Sequence, residues 1–279
     1  MCGHCRVTSK HESLYWSDGS LEETTQVPEK TMLQSSHFEE QAKTIVDTAQ
    51  NRGIVIRSIG ATAFRIHCPK FKDLHTKLGR ELTDLDFMAR GKQINEIAQL
   101  FQDLGYQKDP RMHSFMVYQR GIFQHPETKL VADVFFDKLS MCHTIDFRER
   151  LELDSPTITL ADLVLEKTQI VKINEKDLKD LAILLLEHDV GDSEHEHVDG
   201  KYIRQLLSKD WGFYYTVTTN LKKAKDHLAM YEAFDNSQRE QIAATIDRLL
   251  ASIENEPKST GWKMRARVGP RKIWYNEVE

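Results

Sequence analysis

The chain has 279 residues, 40% of them hydrophobic and 29% charged, with a formal net charge of −5. That length and apolar content support a real core and leave room for two domains, while the acidic balance argues against a protein that coats nucleic acid indiscriminately. No apolar run approaches the ~18 residues that span a bilayer and no signal-peptide pattern is present, so a cytoplasmic protein without a membrane partner is expected.

Residues 1–35 are polar and aperiodic and read as a flexible N-terminal segment. Within it, Cys2-Gly-His-Cys5 has the spacing of half a zinc site, but no second pair with ligand spacing follows. Four cysteines make no disulfide framework in a chain of this size, and Cys68 and Cys142 read as reduced core residues.

Ser36 and Glu39 form a capping box that opens a helix to about Arg52, with Phe38, Ala42, Ile45, Val46 and Ala49 on one face and Gly53 as its stop. A strand over 54–59 ends at Gly60, and a short helix over 61–67 follows. The backbone N–H groups that open it suit a phosphate. Residues 69–82 form a charged excursion before a strand over 83–88. A helix over 93–104 comes next, then strands near 113–119, 129–136, 141–147 and 149–153. This order predicts an α+β chain: a mixed sheet with helices on one side over 36–155.

After Pro156 helices take over. Thr159 and Asn174 cap the first two, which run to about Val171 and His188, and others are expected near 200–208, 212–233 and 237–254. A helical domain is therefore drawn over 156–256. Between its helices, His188-Asp-Val-Gly-Asp-Ser-Glu-His-Glu-His197 reads as a solvated loop, with metal coordination as the alternative.

Asp84 and Asp86 are two apart, so on a strand both project to one face while Leu85 and Phe87 enter the core. Two carboxylates this close repel unless a cation lies between them, and Mg²⁺ prefers oxygen ligands. Asp133 sits in the apolar run Leu130-Val-Ala-Asp-Val-Phe-Phe136, where a charge is costly unless paired or metal-bound. If the two strands are neighbours, Asp133 completes a two-metal site or serves as a base for an attacking hydroxyl.

The set Gly60-x-Thr62-Ala, then Arg80, Thr83-Asp-Leu-Asp86, then a strand Asp, resembles the nucleotidyltransferase superfamily of DNA polymerase β type. Thr157-Ile-Thr-Leu-Ala-Asp-Leu-Val-Leu-Glu-Lys-Thr-Gln-Ile170 with Lys176-Asp-Leu-Lys-Asp-Leu181 is similar to its toxin-like AbiEii/AbiGii branch. The resemblance spans about residues 37–230. It implies an enzyme that moves NMP from an NTP to a hydroxyl, with RNA among the candidate acceptors, two Mg²⁺ ions and a cognate antitoxin as partner.

The same resemblance makes Gly60, Ala61 and Thr62 the triphosphate loop, Asp84, Asp86 and Asp133 the metal-binding catalytic carboxylates, and Lys167 a phosphate contact. Arg80, Thr83, Lys176, Asp177 and Asp180 match the surrounding nucleotide-binding motifs. From its position alone, Lys167 lies in an apolar stripe and either snorkels out or meets an anion; Asp177 and Asp180 read equally as a helix-starting acid and a surface ion pair. Ala61 stands where the family has a second Gly or Ser, and 22 residues separate it from Asp84, a long spacing. These departures keep open a nucleotide- or RNA-binding chain without turnover, and the acidic body leaves a small-molecule nucleotidyltransferase with a cationic acceptor as a further alternative.

The basic tail, residues 257–279, holds six basic and two acidic residues; the remainder has 32 basic and 41 acidic residues, a charge of −9. With Trp262, Trp274 and Tyr275 interleaved, the tail either contacts RNA or forms a strand or hairpin packed on the body.

Overall fold

The computed structural model describes residues 35–109, 120–194 and 196–278. The Cys2–Cys5 motif, the strand expected near 113–119 and His195 lie outside the described residues. Residues 33–279 cluster as one compact unit, and the two domains drawn over 36–155 and 156–256 both lie within it.

Helix α1, Ser35–Asn51, buries Phe38, Ala42, Ile45, Val46 and Ala49, the face expected from its periodicity. Strand β1, Ile56–Ile59, runs directly into α2, Gly60–His67, and a one-and-a-half-turn helix α3, Lys72–Lys77, occupies the charged excursion. Then come β2, Leu85–Ala89, α4, Ile94–Asp103, β3, Gln107–Lys108, β4, Arg120–Gln124, and β5, Val131–Phe136. These five strands form one sheet in the order β1-β2-β5-β4-β3. It is mixed: β2 and β5 are parallel, and every other pairing is antiparallel.

The parallel pair fixes the site. Asp86 is in register with Ile59 on one side and Asp133 on the other, so the two carboxylates leave the same face of adjacent strands. The opposite face carries Leu85, Phe87, Ala132 and Val134 into a core with α1 and α4. Helices were expected on one side only, but both faces are covered: Ile59, Met88 and Phe135 pack toward the helical half.

That half comprises α5, Leu160–Thr168, α6, Glu175–Glu187, α7, Gly200–Leu207, α8, Trp211–His227, and α9, Asn236–Asn255. The chain is therefore α+β, a mixed sheet followed by helices. Thr159 and Asn174 accept the capping N–H bonds expected from sequence, and α9, expected to open at Ser237, is capped two residues earlier by Asp235. The halves are stitched at backbone level, with the Ser58 N–H donating to Pro156 O at 2.9 Å and the Ile158 N–H to Ser58 O at 3.1 Å.

Three local expectations change. The strand over 141–147 is a two-strand hairpin, β6, Lys138–Ser140, and β7, Thr144–Asp146. Residues 149–153 form turns, because the Arg150 N–H closes back on Phe147 O and its guanidinium turns to Asp162 and Glu194. The tail is a helix, α10, Thr260–Val268, opened by the Ser259 hydroxyl accepting from the Trp262 N–H. None of its residues is buried, so no apolar periodicity announced it. The segment after His188 pairs Val190–Gly191 with Val198–Asp199, and its acids Asp189, Asp192 and Glu194 are engaged by Arg248, Arg204 and Arg150.

Candidate active site

Gly60 is the hinge of the site. Its φ is +65°, and a Cβ there would lie 2.5 Å from Asp86 Oδ2. Both the left-handed backbone and the close approach demand glycine. Gly60→Ala is therefore expected to destabilise the fold by about 1–2 kcal/mol from the backbone alone and to push the Asp86 carboxyl aside. Denaturant unfolding reads the first effect; lost transfer activity reads the second.

The Gly60 N–H already has an anion. It points at Glu166 on α5, lying 3.1 and 3.2 Å from the two carboxylate oxygens. The helix N-terminus that suits a phosphate is thus occupied by the chain's own carboxylate. Ala61 packs toward the α1 core and Thr62 is fully buried with its hydroxyl unpartnered. Of the expected triphosphate loop, Gly60 borders Asp86 and Glu166.

Asp84 precedes β2 and is exposed, with the Thr83 hydroxyl donating to it at 3.0 Å. Asp86 is half-buried, and its carboxyl is pushed up to about 8 by burial, then by the charges of Asp84, Glu166 and Asp133, against the opposing pull of Lys167. Asp133 is buried and gripped by Arg120, whose Nε lies 2.8 and 2.9 Å from its oxygens while Nη2 contacts Oδ2. Arg120, diagonal to Asp133 across the β4–β5 pairing, was not expected from sequence.

Behind Gly60 lies a buried ion network. Lys167 Nζ is 3.0 Å from Asp177, 3.9 Å from Glu166 and 4.0 Å from Asp180, and it sits 5.5 Å from the Phe64 ring centroid. Burial alone would lower its pKa, yet Glu166, Asp177 and Asp180 together raise it, so the ammonium stays charged. Arg80 clamps Asp180 with two bonds, 2.9 and 2.8 Å. His75, 3.8 Å from Asp180, is no ion-pair partner: burial, then Arg65, Arg80 and Lys72, push it down to about 3, so it is neutral. Lys176 is exposed and stands apart from this network.

Of the two outcomes its position left open, Lys167 meets an anion, but the anions belong to the protein. Glu166 was missed by sequence reasoning although the signal was present, a charged residue beside Lys167 in a helix whose only other charge is Asp162. Around the Gly60 turn and the β2–β5 pair, six carboxylates (Asp84, Asp86, Asp133, Glu166, Asp177, Asp180) stand with three cations (Arg80, Arg120, Lys167), an excess of three negative charges when all are ionised.

Among the described residues, no three His, Cys, Asp or Glu side chains already converge closely enough to hold an ion. The donor chemistry nevertheless fits a hard divalent cation: Asp84, Asp86 and Asp133 offer only oxygens, and the raised Asp86 carboxyl marks negative charge left uncompensated.

Among solved structures, the antibiotic-resistance factor ANT(2'')-Ia aligns with a TM-score of 0.32 at 10% identity, covering 79% of this chain and 97% of its own. An antigenic nucleotidyltransferase-like protein from Paracoccidioides brasiliensis aligns with a TM-score of 0.39 at 10% identity, covering 82% of this chain and 97% of its own. No protein-family model matches the chain, and no curated protein matches it.

Proposed function

We propose that the chain is a nucleotidyltransferase that moves NMP from an NTP to a hydroxyl acceptor. The observation that carries this reading is the in-register pair Asp86 and Asp133, set beside the Gly60 turn with Asp84 at the strand end. Mg²⁺ held by Asp84, Asp86 and Asp133 would supply neutralisation of the triphosphate charge.

The chain's own residues would do the rest by position. Gly60 keeps the turn close against Asp86, and the β2–β5 pairing holds both carboxylates on one face. Asp133 takes the acceptor's proton after Arg120 releases one of its oxygens; the freed guanidinium then stands next to the site as a cation for phosphate. Arg80 and Lys167 hold the helical half against the turn instead of contacting nucleotide directly. The AbiEii-like branch and a neutralising partner rest on the motif over 157–181.

The assay is labelled NTP with Mg²⁺, offered total RNA and small cationic acceptors. Label should pass to an acceptor with the wild-type chain and fail to with Asp84→Ala/Asp86→Ala; equal incorporation by both overturns the reading. A second reading, nucleotide binding without turnover, is favoured by Glu166 on the Gly60 N–H and Arg120 on Asp133. It predicts that Mg²⁺ with NTP raises the melting temperature while no product forms.

A further inference from the structure

The end of the described chain carries charge opposite to that of the body. Two of its six basic residues are structural. Lys258 donates to the carbonyls of Glu254 and Glu256 at 3.2 and 2.8 Å, and Arg265 donates to those of Gly269 and Lys272, both at 2.7 Å, while lying over the Trp211 ring. The other four, Lys263, Arg267, Arg271 and Lys272, are exposed and make no ion pair or side-chain hydrogen bond among the described residues. Glu277 is the one acidic residue in the described part of this tail.

Beside this strip lies a cavity of about 470 Å³ between the C-terminal segment, the β6–β7 hairpin and the start of α8. Cys142, His143, Asp210, Trp274, Tyr275 and Asn276 line it, and Arg265 joins it to the strip. Its outer wall is pinned: the Asn276 N–H donates to Cys142 O at 2.9 Å and Trp274 Nε1 to the Thr216 hydroxyl at 3.0 Å. Gly212 lets that wall approach, since a Cβ there would meet Trp274 O at 2.5 Å.

We propose that this surface binds single-stranded RNA. Lys263, Arg267, Arg271 and Lys272 track the phosphates, and one unstacked base with its ribose enters the cavity against Tyr275. A run of unpaired cations on an acidic body selects a polyanion. The cavity selects among polyanions. An acyl chain would have to desolvate Asp210 and Asn276, both exposed, whereas base edges and a ribose 2′-hydroxyl use such donors and acceptors. A base inside a duplex cannot reach it, which favours a single strand. The proposal stands apart from the transfer reading, because binding is measured without NTP or Mg²⁺.

Fluorescence anisotropy with a labelled single strand of about twelve RNA nucleotides, a typical site size, tests it. With four phosphate contacts at about −0.7 each, log affinity should fall against log salt with a slope of about −3, some fifty-fold between about 50 and 200 mM. Replacing Lys263, Arg267, Arg271 and Lys272 together by Gln, all at surface positions that leave the fold intact, should flatten the slope and cost more than about tenfold at low salt. Tyr275→Ala should weaken binding about tenfold at unchanged slope. An unchanged slope in the quadruple variant, equal or tighter binding of duplex RNA or single-stranded DNA, or preference for phosphatidylserine vesicles would overturn the proposal.

Discussion

Asp86→Asn is expected to abolish nucleotidyl transfer and, at the same time, to make the chain more stable at alkaline pH. The carboxyl of Asp86 is raised from an ordinary value near 4 to about 8 by burial and by Asp84, Glu166 and Asp133. The folded state therefore binds this proton more tightly than the unfolded state. Its stabilising contribution is full below about pH 4 and is lost as pH rises toward 8, a loss on the order of 3 kcal/mol after allowance for partial solvent exposure. Asparagine cannot ionise, so the variant should hold its stability across that window while transfer falls by at least about a thousandfold. A divalent cation competes with the proton for the same oxygens, so Mg²⁺ should raise the wild-type melting temperature more at pH 8.5 than at pH 5 and leave the variant unmoved. Urea unfolding from pH 4 to 9, with and without Mg²⁺, reads all three. The same pH profile in both proteins would remove Asp86 from the centre of the charge cluster.

Lys167→Met should cost about 3–5 kcal/mol of stability, enough to threaten folding outright. The substitution keeps the length of the side chain and its packing over Phe64, but it takes the shared cation from Glu166, Asp177 and Asp180, of which Asp180 alone is clamped by Arg80. Removing one member of a buried ion network strands the others, which is why the cost exceeds that of any surface pair. Lys167→Arg, which restores the charge, should recover part of the loss. A stable Met variant with weakened NTP binding would instead make Lys167 a phosphate contact, the role implied by the family resemblance. Chemical denaturation beside nucleotide titration separates the two outcomes.

The elements around the site were largely legible because each left a local signature. The period of α1, the glycine after β1, and the alternation Leu85, Asp86, Phe87 each reflect steric and burial rules that act within a few residues. The tail helix α10 was not legible, since with no buried face it has no apolar period to read. Residues 149–153 alternate like a strand, yet Leu151 is buried while Leu153 is exposed and Arg150 is drawn into ion pairs with Asp162 and Glu194.

The sequence by itself determined the inventory of the site: a glycine turn after a strand, two carboxylates two residues apart, of which β2 keeps Asp86 while Asp84 lies just before it, a third on an apolar strand, and charged residues inside apolar helices whose partners it left open. Only the tertiary structure decided who those partners are. Parallel pairing of β2 with β5 sets Asp86 beside Asp133, α5 delivers Glu166 to the Gly60 N–H 106 residues away, and Arg80 meets Asp180 across 100 residues. A buried charge states that it needs a counter-charge but carries no information about which one, because Coulomb attraction depends on distance in space and not along the chain.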